Sequence, residues 1–285
     1  MIQCRDVPWR VSTTMATMNL PNYPIVMGIL NVTEDSFFDG GRYTSDAAVL
    51  RRAGQILSEG AAIIDIGAVS TRPGAADVSA EEEWARLQPA IRQILREFPN
   101  AVISIDTWRA EVARRSVENG AAVINDISGG SFDAAMPEVV ANACVPYVMM
   151  HTTAKPAQMQ QQTVTGDIWD ALFGFFDNQL SLFRAAGAEN IIMDPGFGFG
   201  KTMEQNYQLM NQLEKFKQYG LPVLVGISRK SMIYKLLGTD PDGALNGTTV
   251  LNTVALLKGA DILRVHDVKE AVEAVKIVNK LKMEN

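Results

Sequence analysis

The chain has 285 residues, 47% of them hydrophobic and 20% charged, which is enough apolar chain to bury a large globular core. A net charge of -6 and the lack of a dense Lys/Arg stripe exclude a general nucleic-acid or anionic-membrane binder, while leaving local cations free to hold a small anion. Two well-separated cysteines, Cys4 and Cys144, argue against a disulfide framework and for a reducing cytoplasm; no signal-peptide run opens the chain, and no stretch reaches the roughly 18 apolar residues of a membrane span.

Residues 1–23 are polar and read as an N-terminal extension packed on the body of the protein. Short apolar runs then recur: "PIVMGILN" (24–31), "AIIDIG" (62–67), "AVISIDT" (101–107), "AVINDI" (122–127), "VPYVMMH" (145–151), "NIIMDPG" (190–196), "LPVLVGIS" (221–228) and "DILRVHD" (261–267). They are rich in β-branched residues and nearly continuous in hydrophobicity, as parallel strands covered on both faces are. Helical periodicity lies between them. In "SAEEEWARLQPAIRQIL", Ser79 and Glu82 have capping-box spacing, and Trp84, Leu87, Ile91, Ile94 and Leu95 can share a face. "GDIWDALFGFFDNQLSLFRAAG" closes at Gly187, and "VKEAVEAVKIVNKL" ends the periodic pattern. Strand then helix, eight times, predicts an α/β fold of the (β/α)8 TIM-barrel type in a single domain over 1–285. A doubly wound open sheet is the runner-up. The polar stretch 152–166 reads as a surface loop.

A barrel of this kind carries its active site at the C-terminal ends of the strands. Here the runs close on Asn31, Asp106, Asn125, His151, Asp194, Ser228 with Lys230, and Arg264 with His266. A carboxylate ending an apolar run needs donors, and a ligand with adjacent N–H groups, such as a 2-amino-pyrimidinone ring, supplies them. Each of Asp106, Asn125 and Asp194 could instead cap the next helix. "MDPGFGFGKT" fails the Walker pattern at Pro195 and G-x-G-x-x-G at Lys201, which leaves a glycine-rich turn that is either ligand-facing or structural. "GISRKS" puts Ser228, Arg229, Lys230 and Ser231 at a strand-to-helix junction suited to an anion. Arg264 and His266 lie two apart, on one side of a strand, where arginine and a protonatable imidazole suit a diphosphate; the alternative is a buried Arg264–Asp267 pair with a core histidine.

Together, "GILNVTEDSFFDGG", "STRPGA", "SIDT", "INDISGG", "MHTTAKPAQMQ", "DPGFGFGK", "GISRKS" and "RVHDV" resemble, in order, the motifs of the dihydropteroate synthases of the pterin-binding barrel family. The resemblance runs from about residue 24 to 278. It implies a folate-pathway transferase that joins 6-hydroxymethyl-7,8-dihydropterin diphosphate to p-aminobenzoate by ionisation of the C–O bond and attack of the arylamine. It implies a pterin site of Asp106, Asn125, Met149, Asp194, Phe199, Gly226 and Lys230, and a diphosphate site of Asn31, Arg72, Arg264 and His266, with Mg²⁺ held through Asn31. Phe37, Thr71, Pro73 and Ser231 would form the p-aminobenzoate pocket, and Asp35 and Asp39 would order the first loop as the site closes. The catalytic group would be Asn31, Asp35, Asp39, Lys230, Arg264 and His266. A methyltetrahydrofolate:corrinoid methyltransferase resembles the same barrel, but would need no such cationic cluster.

The same resemblance implies a homodimer formed through the C-terminal helices and a p-aminobenzoate pocket that sulfonamides share as possible inhibitors, without fixing sensitivity to them; charge and composition add a cytoplasmic protein with no nucleic-acid or membrane partner. The apolar stripe Val268, Ala271, Val272 and Val275 suits either that interface or the core. The sequence departs from the family at Glu34, where proline is usual, at Phe38, at Val69, where glutamate is common, and at Ala154 and Lys155.

Overall fold

The computed structural model describes residues 24–32, 42–69, 78–156, 158–159 and 161–282, with the side chains of the first helix described from residue 47. Eight parallel strands alternate with helices: β1 (Ile25–Asn31), α1 (Arg42–Ser58), β2 (Ile63–Gly67), α2 (Ala80–Glu97), β3 (Ile103–Asp106), α3 (Ala110–Glu118), β4 (Val123–Asp126), α4 (Met136–Ala143) and β5 (Tyr147–Met150). The second half continues with α5 (Ile168–Ala186), β6 (Ile191–Asp194), α6 (Met203–Asn211), β7 (Leu224–Val225), α7 (Ser231–Tyr234), α8 (Leu245–Leu257), β8 (Ile262–Val265) and α9 (Val268–Lys282). The ladder runs β6-β5-β4-β3-β2-β1-β8-β7, and one parallel bridge, Met193 to Val223, joins its two ends. The predicted TIM barrel is therefore present.

Local chemistry sets the elements. Ser79 and Glu82 make the expected capping box, with Ser79 Oγ accepting from Glu82 N at 3.2 Å and Glu82 Oε2 accepting from Ser79 N at 2.9 Å. Behind it, Leu87, Ile91 and Ile94 are buried, while Trp84 and Leu95 are only partly so. Asp167 caps α5 by accepting from Trp169 N at 2.7 Å, and Gly187 ends that helix at φ 96°. The seventh strand differs most from its prediction. Of the run 221–228 only Leu224 and Val225 keep a full ladder, with Val223 adding the bridge.

Two apolar layers position the site. Outside the strands, Ile64, Ile66, Ile103 and Ile105 pack under the helices; inside, Met27, Ile63, Val123, Val148, Leu224 and Ile262 plug the barrel floor. Among the described residues no helix is long and apolar enough to cross a membrane. Cys144 is not a free thiol, against the expectation for that cysteine, while Cys4 and the extension 1–23 lie outside the described residues.

Candidate active site

Strand side chains alternate between the axis and the helices, so the residues two places above the floor share its inward direction. Polarity switches there: Asp65, Ser104, Asn125, Asp194 and Arg264 replace the aliphatic plug. Arg264 links this layer to the rim. Its Nε donates to Asp65 Oδ2 at 2.6 Å and its Nη2 to Asp106 Oδ2 at 2.6 Å, while Asn125 Nδ2 donates to the same Asp65 oxygen at 3.0 Å. Burial, opposed by Arg264 and reinforced by Asp65, Glu83 and Asp126, pushes the Asp106 carboxyl up to about 7. Asp65 was absent from the expected site. It stands mid-run in "AIIDIG", and the only signal was a carboxylate at even spacing between Ile63 and Gly67.

Across the barrel, Asp194 is buried and accepts from Gly196 N at 2.8 Å; burial raises its carboxyl against the pull of Lys230, this N–H and Arg264. Lys230 donates from Nζ to Phe197 O and lies 4.6 Å from the centre of the Phe199 ring. Burial lowers its ammonium to about 8 despite the attraction of Asp194. The loop 196–201 is clamped from below. Lys201 Nζ donates to Gly196 O at 2.8 Å and Phe199 O at 3.0 Å and sits 3.0 Å from His151 Nδ1. A Cβ on Gly196 would stand 1.9 Å from His151 O, and one on Gly200 would stand 1.8 Å from Thr153 Oγ1, both at positive φ. Burial lowers Lys201 to about 7, and burial together with Lys201 lowers His151 to about 2. The motif lysine thus faces inward and organises the turn rather than offering itself to an anion.

On the rim, Asn31 is exposed at the end of β1, and Gly67 lies between it and Asp106: a Cβ there would meet Asn31 Oδ1 at 3.6 Å and Asp106 Oδ2 at 3.7 Å. His266 Nδ1 is 3.1 Å from Ser228 Oγ, which also accepts from His266 N at 3.1 Å. Surrounding protein, then Arg264, with Arg229 and Arg52 beyond, push its imidazole down to about 4 against the pull of Asp267. The alternative Arg264–Asp267 pair does not form. Asp267 is forked by Arg229 at 2.7 and 3.0 Å instead. Ser231 opens α7, partly buried beside Lys230, and Gly226 is buried with room for a Cβ 3.8 Å from Arg264 Cβ.

The apolar wall is Trp108, Ile127 and Met150, with Val69, Phe132 and Phe199 packed against them. Here one expectation is corrected. Met149 points outward into the cluster under the helices, because β5 alternates and Val148 and Met150 take the inward places. Ile127 and Trp108, like Met150, were missed, since apolar residues at a strand mouth look like core. Val69, the departure before "STRPG", joins this wall, and Ala154 O accepts from Thr152 Oγ1 at 3.0 Å. Asp35, Phe37, Asp39, Thr71, Arg72 and Pro73 lie outside the described residues, as do Glu34 and Phe38. Among the described residues no three His, Cys, Asp or Glu side chains gather as a metal cage. The exposed amide oxygen of Asn31 fits a different kind of site, in which Mg²⁺ keeps its waters and takes most of its ligands from a substrate phosphate.

The family of pterin binding enzymes matches residues 27–266. The dihydropteroate synthase of Escherichia coli (strain K12) is 44% identical over 259 residues, covering 90% of this chain and 91% of its own. A dihydropteroate synthase structure from Clostridium difficile, solved in the presence of pteroic acid, superposes with a TM-score of 0.86 at 35% identity, covering 92% of this chain and 98% of that one. That of Yersinia pestis, in a sulfonamide drug complex, superposes at 0.85 with 41% identity, covering 92% and 95%.

Proposed function

This chain belongs to the pterin-binding enzymes as a dihydropteroate synthase, and on that premise we propose how its own residues divide the work. The reaction condenses 6-hydroxymethyl-7,8-dihydropterin diphosphate with p-aminobenzoate to 7,8-dihydropteroate and diphosphate, a step of folate biosynthesis. The observation that carries the division is the polar layer of Asp106, Asn125, Asp194 and Arg264 set on an apolar floor and walled by Ile127, Met150 and Phe199.

In this reading Asp106, Asn125 and Asp194 accept from and donate to the amino-pyrimidinone edge of the pterin, Lys230 reaches its carbonyl side, and Phe199 covers one face. Gly226 lets the ring lie close to the backbone. Arg264, Arg72, Asn31 and His266 receive the diphosphate, with Arg264 at the boundary because two carboxylates already hold its Nε and Nη2. Mg²⁺, when bound, would spread the charge of the departing diphosphate, and Asn31 would hold it with Asp35 and Asp39 ordering the loop above. Phe37, Thr71, Pro73 and Ser231 would take p-aminobenzoate, which makes sulfonamides competitors for the same pocket.

The chemistry asks little of a base. The electron-rich dihydropterin delocalises the cation left when the C–O bond breaks, and the cationic rim stabilises the leaving group. The arylamine is neutral at pH 7 and attacks through its lone pair, losing one proton afterwards. Such anionic, water-soluble substrates suit a cytoplasmic enzyme. Purified protein with Mg²⁺ should release diphosphate only when both substrates are present, in step with dihydropteroate. Diphosphate release without dihydropteroate would overturn this division of the site.

A further inference from the structure

Asp65 is fully buried at mid-strand, and nothing in the division above uses it. It does not sit there for its own comfort. Oδ2 accepts from both Arg264 Nε and Asn125 Nδ2, while Oδ1 is buried with no hydrogen-bond partner among the described residues. Its register neighbour on β3, Ser104, also buries a hydroxyl without a partner among the described residues, so this layer of the barrel is under-satisfied on one side. A half-satisfied buried carboxylate is costlier than the aliphatic residue that fills the equivalent place two residues earlier, and such costs persist where function needs them.

The geometry says what the cost supports. A guanidinium offered only Asp106 could rotate about that contact; held at Nε by Asp65 as well, its plane is fixed, and both Nη1 hydrogens and the second Nη2 hydrogen are left to donate elsewhere. An amide has two ends, and donation from Asn125 Nδ2 to Asp65 decides which faces away from that carboxylate: the oxygen. We propose that Asp65 is a positioning residue of this reaction, a single buried acceptor that sets the orientation of Asn125 for the pterin edge and of Arg264 for the diphosphate. The two halves of the first substrate are thereby recognised in one fixed geometry, by groups on strands β4 and β8 tied to one oxygen on β2.

The inference rests on the assignment of Asn125 and Arg264 to the pterin diphosphate site, and its test separates the two. Asp65→Asn keeps the shape and an acceptor oxygen but removes the charge, and Asp65→Leu removes the acceptor. The KM for dihydropterin diphosphate should rise roughly tenfold in the first and more in the second, with the KM for p-aminobenzoate within about twofold of the parent. Calorimetric titration with 6-hydroxymethylpterin and, separately, with inorganic diphosphate and Mg²⁺ should show both weakened. If the Asp65 variants fail to fold, Arg264→Lys, which keeps the charge but reaches only one carboxylate, should give the same split. Equal changes in both KM values that track the melting temperature, or no change in either, would overturn the proposal. Asn125→Ala is the control on the premise: if it leaves 6-hydroxymethylpterin binding intact, the pterin assignment itself fails, whatever Asp65 does.

Discussion

Asp106 and Lys230 have been moved toward neutrality from opposite sides, to about 7 and about 8, chiefly by burial. Below about 7 Asp106 takes up a proton and loses acceptor capacity for ring N–H groups; above about 8 Lys230 loses its charge. The profile of kcat/KM for dihydropterin diphosphate should therefore be a narrow bell with apparent limbs near those values, belonging to the coupled cluster rather than to either group alone. Asp106→Asn should abolish the acid limb, and Lys230→Arg the alkaline one; pH–rate profiles of the two variants decide it. The sequence revealed both groups because each closes or follows an apolar run. Asp65 stayed hidden for the same physical reason: the run continues through it, and its partners, Arg264 on β8 and Asn125 on β4, come from strands far away in the sequence that reach it across the barrel interior. Met149 and Met150 show a further limit. Adjacent methionines are alike in composition, and only the strand's phase tells which one faces the barrel mouth.

At the scale of an element, the turn after β4 is built around one side chain. Asp126 accepts from Ser128 N and Oγ at 2.7 Å each, from Gly130 N at 3.0 Å and from Tyr147 OH at 2.7 Å. It thereby fixes the chain beyond Asn125 and Ile127. Asp126→Ala strands these donors and should cost about 3 kcal/mol, whereas Tyr147→Phe, which removes one donor from a carboxylate with three others, should cost about 1 kcal/mol. Chemical unfolding of the two variants tests the order, and a larger loss for Tyr147→Phe would be against it. The capping box of α2 and the glycine end of α5 were legible because local side-chain chemistry makes them. The clamp of Lys201 under the loop 196–201 was not, since its acceptors include a histidine fifty residues away.

For the molecule as a whole, the stripe Val268, Ala271, Val272 and Val275 proves to be core: Val268 and Ala271 are buried, and the other two pack on the same cluster. Large apolar side chains exposed on the two neighbouring helices are others, Val250 and Leu257 on α8 and Ile277 and Leu281 on α9. A homodimer proposed through these helices would cover them. Ile277→Asp with Leu257→Glu should then shift the protein to monomer in sedimentation velocity, while a parent that already sediments as a monomer would remove the proposal. The barrel's closure has another consequence. Seven of its strand pairs share ladders, but β6 and β7 are joined by the single bridge of Met193 and Val223. The ring is therefore built like a split washer, with its weakest seam at one gap and the rest of the hoop laddered throughout. Asp194 borders that gap on one side and Gly226 on the other, so spreading there would widen the slot proposed above for the pterin. Deuterium should enter the amides of β7 well before those of β1 and β2.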